Sequence, residues 1–355
     1  MTNGRCVVTA RAALTGEQLE QIAPARIEIV DGAITSISSA SSDESDAIVV
    51  DAGDVTLIPG FIDAHVHIGF HRPHDVVSRG VTTVRDLGWP IDIAFDIARQ
   101  SQERNFDGPT VHAVGPIITC PGGYPTRAGW APEGTGLPVS TPAEARAAVN
   151  EVVERGAPQV KIALEPGAGP VLGDAELRAI VDAAHGSGKS VTSHTRGIDQ
   201  LERALDAGVD ELAHTLFTSR PIDERHVERM VASDMAVVPT LTIFHGLARR
   251  PAVETTRRFF KAGGTILYGT DLGNSGPQPG IDRREVRAMA AAGMTARDII
   301  LSATVVPRRR LGLGTIGSLE VGAGADIVGL GGDPTSVWQD LTDVRFVMRK
   351  GRQIV

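Results

Sequence analysis

The sequence predicts an α/β fold, a (β/α)8 barrel, with further short strands at both ends of the chain. The 355-residue length exceeds that of an ordinary single domain. Short β-branched apolar runs alternate with Ala-rich amphipathic stretches over roughly 250 residues, the length typical of such a barrel. The two chain ends instead carry strand-like segments separated by turn residues. We therefore expect one large domain and a smaller one.

Composition and charge favour a folded globular protein and exclude some partners. Hydrophobic residues make up 42% of the chain and charged residues 22%. The formal net charge is −8, and the short basic run Arg308–Arg310 is expected at a solvated helix end, which argues against nucleic acid as the main partner. Cys6 and Cys120 are too few for a disulfide framework. No apolar stretch reaches the ~18 residues of a membrane span and no signal-peptide core is evident, so we expect a soluble cytoplasmic protein.

The chain ends are predicted to form small antiparallel sheets. The N-terminal strand candidates, each bounded by Gly, Asp, Asn or Ser, are Arg5–Ala10, Arg26–Val30, Ala33–Ser38 and Ala47–Asp51. The C-terminal candidates are Asp326–Leu330, Val344–Met348 and Arg352–Val355. Lys350-Gly351, between the last two, predicts a tight hairpin.

The middle of the chain contains eight strand candidates, most of them followed by a helical pattern. The strands are Leu57–His67, Val81–Leu87, Thr110–Ile118, Gln159–Leu164, Ser190–His194, Val209–Thr215, Ala236–Leu241 and Thr265–Asp271. Helical patterns include Pro142–Arg155, Asp174–His185, Ile222–Ser233 and Arg283–Ala292. A doubly wound open sheet is the competing fold, but eight units fit closure and no Gly-rich phosphate loop follows the first strand.

One long segment without regular structure is predicted. Residues Thr119–Val139 are rich in Gly and Pro and follow the third strand candidate. In a barrel this segment would overhang the C-terminal rim, where active sites lie, as a substrate loop or lid.

Five metal-capable residues fall at the C-terminal ends of strand candidates. His65 and His67 end the first strand and, being two residues apart, present both imidazoles on one face. His194, His214 and Asp271 end the fifth, sixth and eighth strands. One His-x-His pair is weak evidence, but five such residues at the end where a barrel places its active site predict a metal centre.

Lys161 lies near the end of the fourth strand candidate, inside an apolar run. The chain has only four lysines, the others being Lys189, Lys261 and Lys350, which we expect to be solvated. A buried cation there could form an ion pair or extend its amine to the rim. Alternatively, burial lowers its pKa, and the neutral amine adds CO₂ to become an anionic carbamate ligand. The nearby histidines favour the carbamate.

The sequence resembles the amidohydrolase superfamily, and more narrowly its prolidase-like and imidazolonepropionase-like branch. The segments that carry the resemblance span essentially the whole chain in order: Pro59–His67, Gly80–Gly88, Val160–Ile162, Ser193–Thr195, His214, Val238–Leu241, Gly269–Asp271 and Gly317–Asp326. The resemblance implies a barrel over residues 60–316 and a β-sandwich formed by residues 1–59 and 317–355.

The resemblance also implies a ligand set for two divalent metal ions. His65, His67 and Asp271 would hold the first, His194 and His214 the second, with carbamylated Lys161 bridging them. Nitrogen and oxygen donors suit zinc, although other first-row metals are chemically possible. Asp271 would then be the catalytic proton acceptor for a metal-bridging hydroxide that attacks a carbonyl carbon.

The expected function is a metal-dependent hydrolase that cleaves a C–N bond, in an N-acyl amino acid, a dipeptide or a cyclic amide. A deaminase of a heterocyclic base is an alternative, but its usual His-x-x-Glu pattern is missing after His194. A lactone or ester hydrolase would use the same ligands, and an inactive scaffold would have lost some of them. The expected partner is a small molecule, and the chain may assemble into a homo-oligomer of unspecified size.

Candidates for substrate binding are Tyr124, Arg196, Phe244 and His245. Tyr124 lies in the long loop, and Arg196 could bind a carboxylate bidentately just beyond His194. Phe244 and His245 follow the Val238–Leu241 segment and are expected to line the pocket.

A few other polar residues are given structural roles. Arg85 and Asp86 are expected to form a buried pair, and His226 to lie on the surface. Asp63 shares the inward face of His65 and is expected to orient a ligand rather than bind metal.

Overall fold

The computed structural model describes residues 4–39 and 47–355. Its strands are β1 (Arg5–Ala10), β2 (Ala12–Thr15), β3 (Glu20–Ile22), β4 (Ala25–Val30), β5 (Ala33–Ser38), β6 (Ile48–Asp51), β7 (Thr56–Pro59), β8 (Phe61–Val66), β9 (Val81–Asp86), β10 (Thr110–Ala113), β11 (Ile117–Thr119), β12 (Gly136–Pro138), β13 (Gln159–Leu164), β14 (Ser190–Thr195), β15 (Glu211–Leu212), β16 (Ala236–Val237), β17 (Thr265–Ile266), β18 (Ile327–Leu330), β19 (Val344–Arg349) and β20 (Arg352–Gln353). Its α-helices are α1 (Pro73–Val77), α2 (Ile91–Ser101), α3 (Pro142–Glu154), α4 (Asp174–Gly186), α5 (Ile198–Ala207), α6 (Glu224–Ala232), α7 (Arg249–Lys261), α8 (Arg283–Ala291), α9 (Ala296–Ser302) and α10 (Val305–Arg310).

Two sheets are built from the chain ends. One has the strand order β5-β4-β1-β6, and the other has the order β20-β19-β18-β7-β2-β3, which combines C-terminal and N-terminal strands. Side chains from both sheets share one apolar cluster, in which Ile27 and Ile29 meet Leu57, Ile327 and Phe346. Burying these alternate residues is what holds the two sheets together.

The middle of the chain forms two parallel sheets, with strand orders β10-β9-β8 and β12-β11-β13-β14-β15-β16-β17. Backbone hydrogen bonds join the first strand of one sheet to the segment after the last strand of the other. The amide of Ala64 donates to Tyr268 O at 2.9 Å, and that of Asp271 donates to His65 O at 2.8 Å. Helices follow most strands, as expected for parallel crossovers.

Local sequence signals explain where several helices begin. Thr141 accepts a hydrogen bond from the amide of Glu144 at the start of α3, with Pro142 at the first helical position. Asp282 caps α8 in the same way, and Thr295 with Asp298 forms a reciprocal capping box at α9.

The predicted strands agree with the structure where the chain pairs on both sides and differ where it turns. Gln159–Leu164 is observed as predicted, but Thr110–Ile118 splits into β10 and β11 around Gly115, which has φ 79°. Leu57–His67 divides into β7 and β8 at Gly60, where a Cβ would lie 2.0 Å from Thr82 Oγ1. The Lys350-Gly351 turn is confirmed, since both residues have positive φ. The N-terminal domain prediction includes residues 1–3 and 40–46, which lie outside the described residues.

Three structural predictions for polar residues are wrong, those for Arg308, for His226 and for the pairing of Arg85 with Asp86. Arg308 is not solvated, because it is buried and pairs with Glu17 and Glu320 from the two chain ends. His226 is buried and hydrogen-bonded to Asp223 and Glu202.

Arg85 and Asp86 are both buried but do not pair with each other. Successive residues of β9 point to opposite faces, so Arg85 reaches Glu211 at 2.7 Å while Asp86 accepts the amide of Ile68 at 2.8 Å. Among the described helices, none is both long and apolar enough to cross a membrane.

Candidate metal centre

The six residues predicted as metal ligands meet at one end of the parallel strands. Lys161 and His194 lie on the neighbouring strands β13 and β14, whereas His67, His214 and Asp271 follow the ends of β8, β15 and β17. His65 is the fifth residue of β8. All line one cavity of about 150 Å³. The carboxyl ends of parallel strands, or the segments just beyond them, therefore supply five of the six, and Lys161 is the third of the six residues of β13.

His65, His67 and Asp271 form the tightest group. The Nε2 atoms of His65 and His67 lie 3.3 and 3.4 Å from Oδ1 of Asp271. Each residue offers one nitrogen or oxygen atom within 4.8 Å of the others, and all three side chains are buried. This is a donor set that suits a divalent transition metal.

The rings of His65 and His67 are oriented by backbone carbonyls. Nδ1 of His65 lies 2.8 Å from Ala213 O, and Nδ1 of His67 lies 3.2 Å from Gly88 O. A carbonyl can only accept, so the Nδ1 atom carries the proton and Nε2 is left with a free lone pair. Both imidazoles thus present a ligand atom to the carboxylate of Asp271.

Asp271 is held in an uncommon backbone conformation. Its φ of 59° lies in the left-handed region, which a non-glycine residue adopts at a cost. The amide of Asn274 donates to Asp271 O, and Nδ2 of Asn274 donates to Oδ2 at 2.8 Å. Asn274 therefore clamps both the backbone and one carboxylate oxygen, and leaves Oδ1 toward the two histidines.

The carboxyl group of Asp63 accepts backbone hydrogen bonds beside two members of this group. Its Oδ1 accepts the amides of His65 and Thr270, and its Oδ2 accepts the hydroxyl of Thr270 at 2.6 Å. Its side chain therefore supports His65 directly and Asp271 through the preceding residue, Thr270. This agrees with the supporting role predicted from its position on β8.

His194 and His214 lie beside this group, and each is held by a side chain. The centroids of their rings are 4.8 Å apart, and that of His214 is 4.7 Å from the ring of His65. Nε2 of His194 lies 3.1 Å from Oε2 of Glu165, and Nδ1 of His214 lies 2.9 Å from Oγ1 of Thr240. One nitrogen of each ring is thus engaged and the other remains for a ligand.

Two buried polar atoms of the cluster have no hydrogen-bond partner among the described residues. They are Nζ of Lys161 and Oδ1 of Asp271. Leaving such atoms buried and unsatisfied is costly, so each calls for a partner that the protein itself does not supply. A metal ion held by the carboxylate, and a carbamate formed on the amine, would satisfy both. The residues present therefore fit a metal centre.

Electrostatics prepare the histidines and Asp271 as ligands. Burial lowers the pKa of His65 and His214 well below the usual value, so both imidazoles are neutral at pH 7. Burial disfavours ionisation of Asp271, but the field of His65, together with that of His67 and His214, holds its pKa well below the usual range. The carboxylate is therefore ionised, which is the form that binds metal.

Burial also acts on Lys161. It lowers the pKa of the amine from 10.5 to about 7, against the opposing attraction of Asp271. A substantial fraction of the amine is then uncharged near neutral pH, which is the state that can react with CO₂.

The predicted substrate residues divide into two pairs. Tyr124 lines the cavity, with its ring stacked on His194 at 4.7 Å between centroids. The Arg196 side chain is 54% exposed, lies 3.6 Å from Glu165 Oε1 and sits over the ring of Phe217. The long loop between β11 and β12 overhangs the site and brings the ring of Trp130 to 5.0 Å from that of His67, whereas the end of the segment predicted to lack regular structure forms β12.

Phe244 and His245 do not reach the cavity, contrary to the sequence prediction. Phe244 is buried behind Phe217, with ring centroids 4.2 Å apart, and His245 points to solvent. The wall is formed instead by Phe217 and Ile243. A short 3-10 turn at Leu241–Ile243 comes directly before these two residues, and Ile243 within it reaches the cavity instead.

Sequence reasoning missed the residues that support the ligands. Glu165, Asn274 and Thr240 each contact a ligand candidate. Glu165 directly follows the strand that carries Lys161, so a buried carboxylate at a strand end was a usable signal. Asn274 and Thr240 lie in loops, whose positions no periodicity predicts.

The sequence model of the amidohydrolase family matches residues 56–354. The chain belongs to the amidohydrolase family. The resemblance found in the sequence is confirmed, and the chain is an enzyme, a hydrolase of this family.

The chain is also similar to individual proteins and solved structures. The uncharacterized protein Rv2915c of Mycobacterium tuberculosis is 28% identical over 361 residues, which cover 91% of this chain and 90% of that protein. An imidazolonepropionase of Deinococcus deserti is 30% identical over 192 residues, 50% of this chain and 45% of its own. The crystal structure of a Xaa-Pro dipeptidase with bound methionine superimposes with a TM-score of 0.82 at 26% identity, covering 98% of this chain and 99% of that one.

Proposed function

We propose that this enzyme is a binuclear metal-dependent hydrolase that cleaves a C–N bond in an N-acyl amino acid, a dipeptide-like molecule or a cyclic amide. The observation that carries the proposal is the convergence of six ligand-capable side chains on one cavity, five of them buried and the sixth, His194, with 13% of its side chain exposed. They are His65, His67, Lys161, His194, His214 and Asp271.

We infer that the two parallel sheets form one closed (β/α)8 barrel over residues 60–316. The hydrogen bonds that link Ala64 to Tyr268 and Asp271 to His65 support closure. Residues 1–59 and 317–355 would form a β-sandwich, supported by the apolar cluster that the two end sheets share. This arrangement places the ligand set at the carboxyl end of the barrel.

The ligands divide between two divalent ions, most simply zinc. His65, His67 and Asp271 would hold one, His194 and His214 the other, and Lys161 as a carbamate would bridge them. When bound, such ions polarise a substrate carbonyl and lower the pKa of a water toward neutrality. The neutral state of the His65 and His214 imidazoles and the ionised state of Asp271 support this division.

The chain itself supplies the proton transfer. Asp271 takes the proton from the attacking water and returns it to the leaving nitrogen, so the products are an acid and an amine. Asn274, which donates to Oδ2, keeps the carboxylate oriented while the proton is held. The position of the carboxylate at the cavity, rather than its pKa without metal, suits it for this role.

The cavity wall favours a substrate with an apolar group beside its scissile bond. Ile117, Phe217 and Ile243 form the apolar part of the lining, and Tyr124 adds a phenol. Arg196 lies over Phe217 at the exposed side, where its guanidinium could receive a carboxylate. An N-acyl amino acid or a dipeptide has both features, whereas an aminopurine has no carboxylate.

The test is a parallel substrate screen of the metal-loaded enzyme. N-acyl amino acids, Xaa-Pro dipeptides, lactones and aminopurines are compared, with ammonia and acid release measured separately. We expect acid and amine products from the first two classes, and loss of turnover after treatment with a chelator. Turnover confined to aminopurines would identify a deaminase, and turnover confined to lactones an ester hydrolase.

A further inference from the structure

The segment Val238–Leu241 carries a residue that the mechanism above does not use. Thr240 is fully buried, and its Oγ1 lies 2.9 Å from Nδ1 of His214. Of the six non-glycine residues with positive φ in the described ranges, Thr240 is the only β-branched one, with φ 45°. A β-branched side chain is strongly disfavoured there, so the surrounding structure must impose this conformation.

The carboxylate of Glu285 imposes it. Glu285 stands on α8 and is fully buried, 45 residues along the chain from Thr240. Its Oε1 accepts the amide of Leu241 at 2.8 Å, and its Oε2 accepts the amide and the hydroxyl of Thr242, both at 2.7 Å. Three hydrogen bonds to this buried carboxyl group thus hold the two residues that follow Thr240, and fix the turn that aims its hydroxyl.

We propose that Thr240, anchored by Glu285, is the positioning residue that makes His214 a metal ligand. Nδ1 of His214 donates to Oγ1 of Thr240, which leaves Nε2 unprotonated for the ion. The inference rests on the proposed function for the identity of the ligand, but the ring orientation can be measured without metal. It gives the Val238–Leu241 segment a role in the site.

Four variants distinguish the effect of the Thr240 hydroxyl from the effect of its surroundings. Thr240→Val removes the hydroxyl and keeps the β-branched shape, and Thr240→Ser restores the hydroxyl. Glu285→Gln keeps the size of the anchor and replaces one acceptor oxygen with a donor. Thr256→Val is the matched control, because the Thr256 hydroxyl is also buried but binds only Ala252 O in α7.

The first readout is the number of zinc ions that each folded variant retains after gel filtration, followed by titration of the second ion. We expect two ions in the wild type, Thr240→Ser and Thr256→Val. Thr240→Val and Glu285→Gln should retain one ion and bind the second about 10–100-fold more weakly. Thr240→Val with two ions at wild-type affinity would overturn the proposal.

The second readout is the tautomer of His214 in the metal-free protein, taken from its ¹⁵N imidazole chemical shifts. We expect protonated Nδ1 in the wild type and in Thr240→Ser, and a changed tautomer balance in Thr240→Val. A wild type that binds fewer than two ions contradicts the proposed function, while this readout still decides the role of Thr240. If Thr240→Val does not fold, Thr240→Ala lacks both the hydroxyl and the branched carbon and is measured in its place. An unchanged tautomer in a folded hydroxyl-free variant overturns the inference.

Discussion

The two halves of the candidate metal centre are supported in different ways. In the first half, the rings of His65 and His67 are set by the carbonyls of Ala213 and Gly88. In the second half, His194 is set by the Glu165 carboxylate and His214 by the Thr240 hydroxyl. Backbone carbonyls persist whatever the sequence, whereas a carboxylate or a hydroxyl is lost by one substitution.

This difference predicts which half tolerates change. No side-chain substitution removes the carbonyl support of the first half, so it should keep its ion in most variants outside its own ligands. The second half depends on the side chains of Glu165, Thr240 and Glu285, which lie in three separate elements. Its ion should therefore be the first to be lost. Variants that act on one half, or on Asp271, which faces both halves, test this difference.

The largest effect is expected at Asp271, which faces both halves. Its Oδ1 lies near Nε2 of His65 and His67, and its Oδ2 lies 4.0 Å from Nδ1 of His214. Asp271→Asn keeps the size of the side chain but removes the proton acceptor, so kcat should fall by about 10²–10⁴-fold. The measurement is kcat on the best substrate of the screen, with circular dichroism to confirm the fold. Asp182→Asn, at an exposed position of α4, is the control, and a near wild-type kcat for Asp271→Asn would contradict the assignment.

Lys161→Ala should lose metal as well as activity. The substitution removes the group that would bridge the two ions, while His65, His67 and Asp271 remain in place. Metal analysis should therefore show fewer ions per chain than in the wild type, and turnover should fall with them. Lys261→Ala, at an exposed site, should retain both ions. If Lys161→Ala retained two ions as well, the lysine would not be a ligand.

Much of the fold could be predicted because burial pattern and chain order determine it. Gln159–Leu164 is apolar around Lys161 and pairs on both sides, so its limits follow from the sequence. Val209–Thr215 has a similar texture, yet only Glu211 and Leu212 pair as a strand. Asp210 and Ala213 still donate backbone hydrogen bonds to Val191 and Ser193, so the difference lies in where regular pairing ends, which local preference does not determine.

The grouping of the candidate ligands could be predicted because all but Lys161 stand at or just beyond a strand end, and parallel strands bring those ends together. The residues that support the candidate ligands could not be predicted from the sequence. Glu285 reaches Leu241, the residue after Thr240, only when α8 packs against the turn after β16, and Asn274 contacts Asp271, whose own backbone is left-handed. Such contacts depend on loop conformation, which alternation and spacing do not encode.

A smaller effect is expected from Glu165→Gln, which tests the other side-chain support. The amide can no longer be an ionised acceptor for Nε2 of His194, so the ring loses orientation. The affinity of the second ion should fall by about 10–100-fold, while the first ion is retained. Zinc titration of the metal-free protein measures this. Glu165 also lies 3.6 Å from Arg196, so Arg196→Met is the control, and an equal loss of affinity there would assign the effect to the ion pair instead.

The smallest effect concerns Asp63, which belongs to the first half. Burial raises its pKa from 3.8 to about 7, so the folded state binds this proton more tightly than the unfolded chain does. Its contribution to the free energy of unfolding is therefore largest below about pH 4 and is lost as the pH rises through about 7, by at most about 1.4 kcal/mol per pH unit.

Asp63→Asn should remove this dependence and keep the fold. The amide oxygen can accept the amides of His65 and Thr270, and the amide nitrogen can donate to Oγ1 of Thr270, which already accepts the amide of Leu272. Denaturant unfolding of both metal-free proteins from pH 4 to 8 gives the difference in free energy of unfolding, in which the other titrating groups cancel. That difference should shift in favour of Asp63→Asn as the pH rises through about 7. Parallel curves would mean that Asp63 is ionised throughout, and that the first half is held by a charged carboxylate rather than by a protonated acid beneath the backbone.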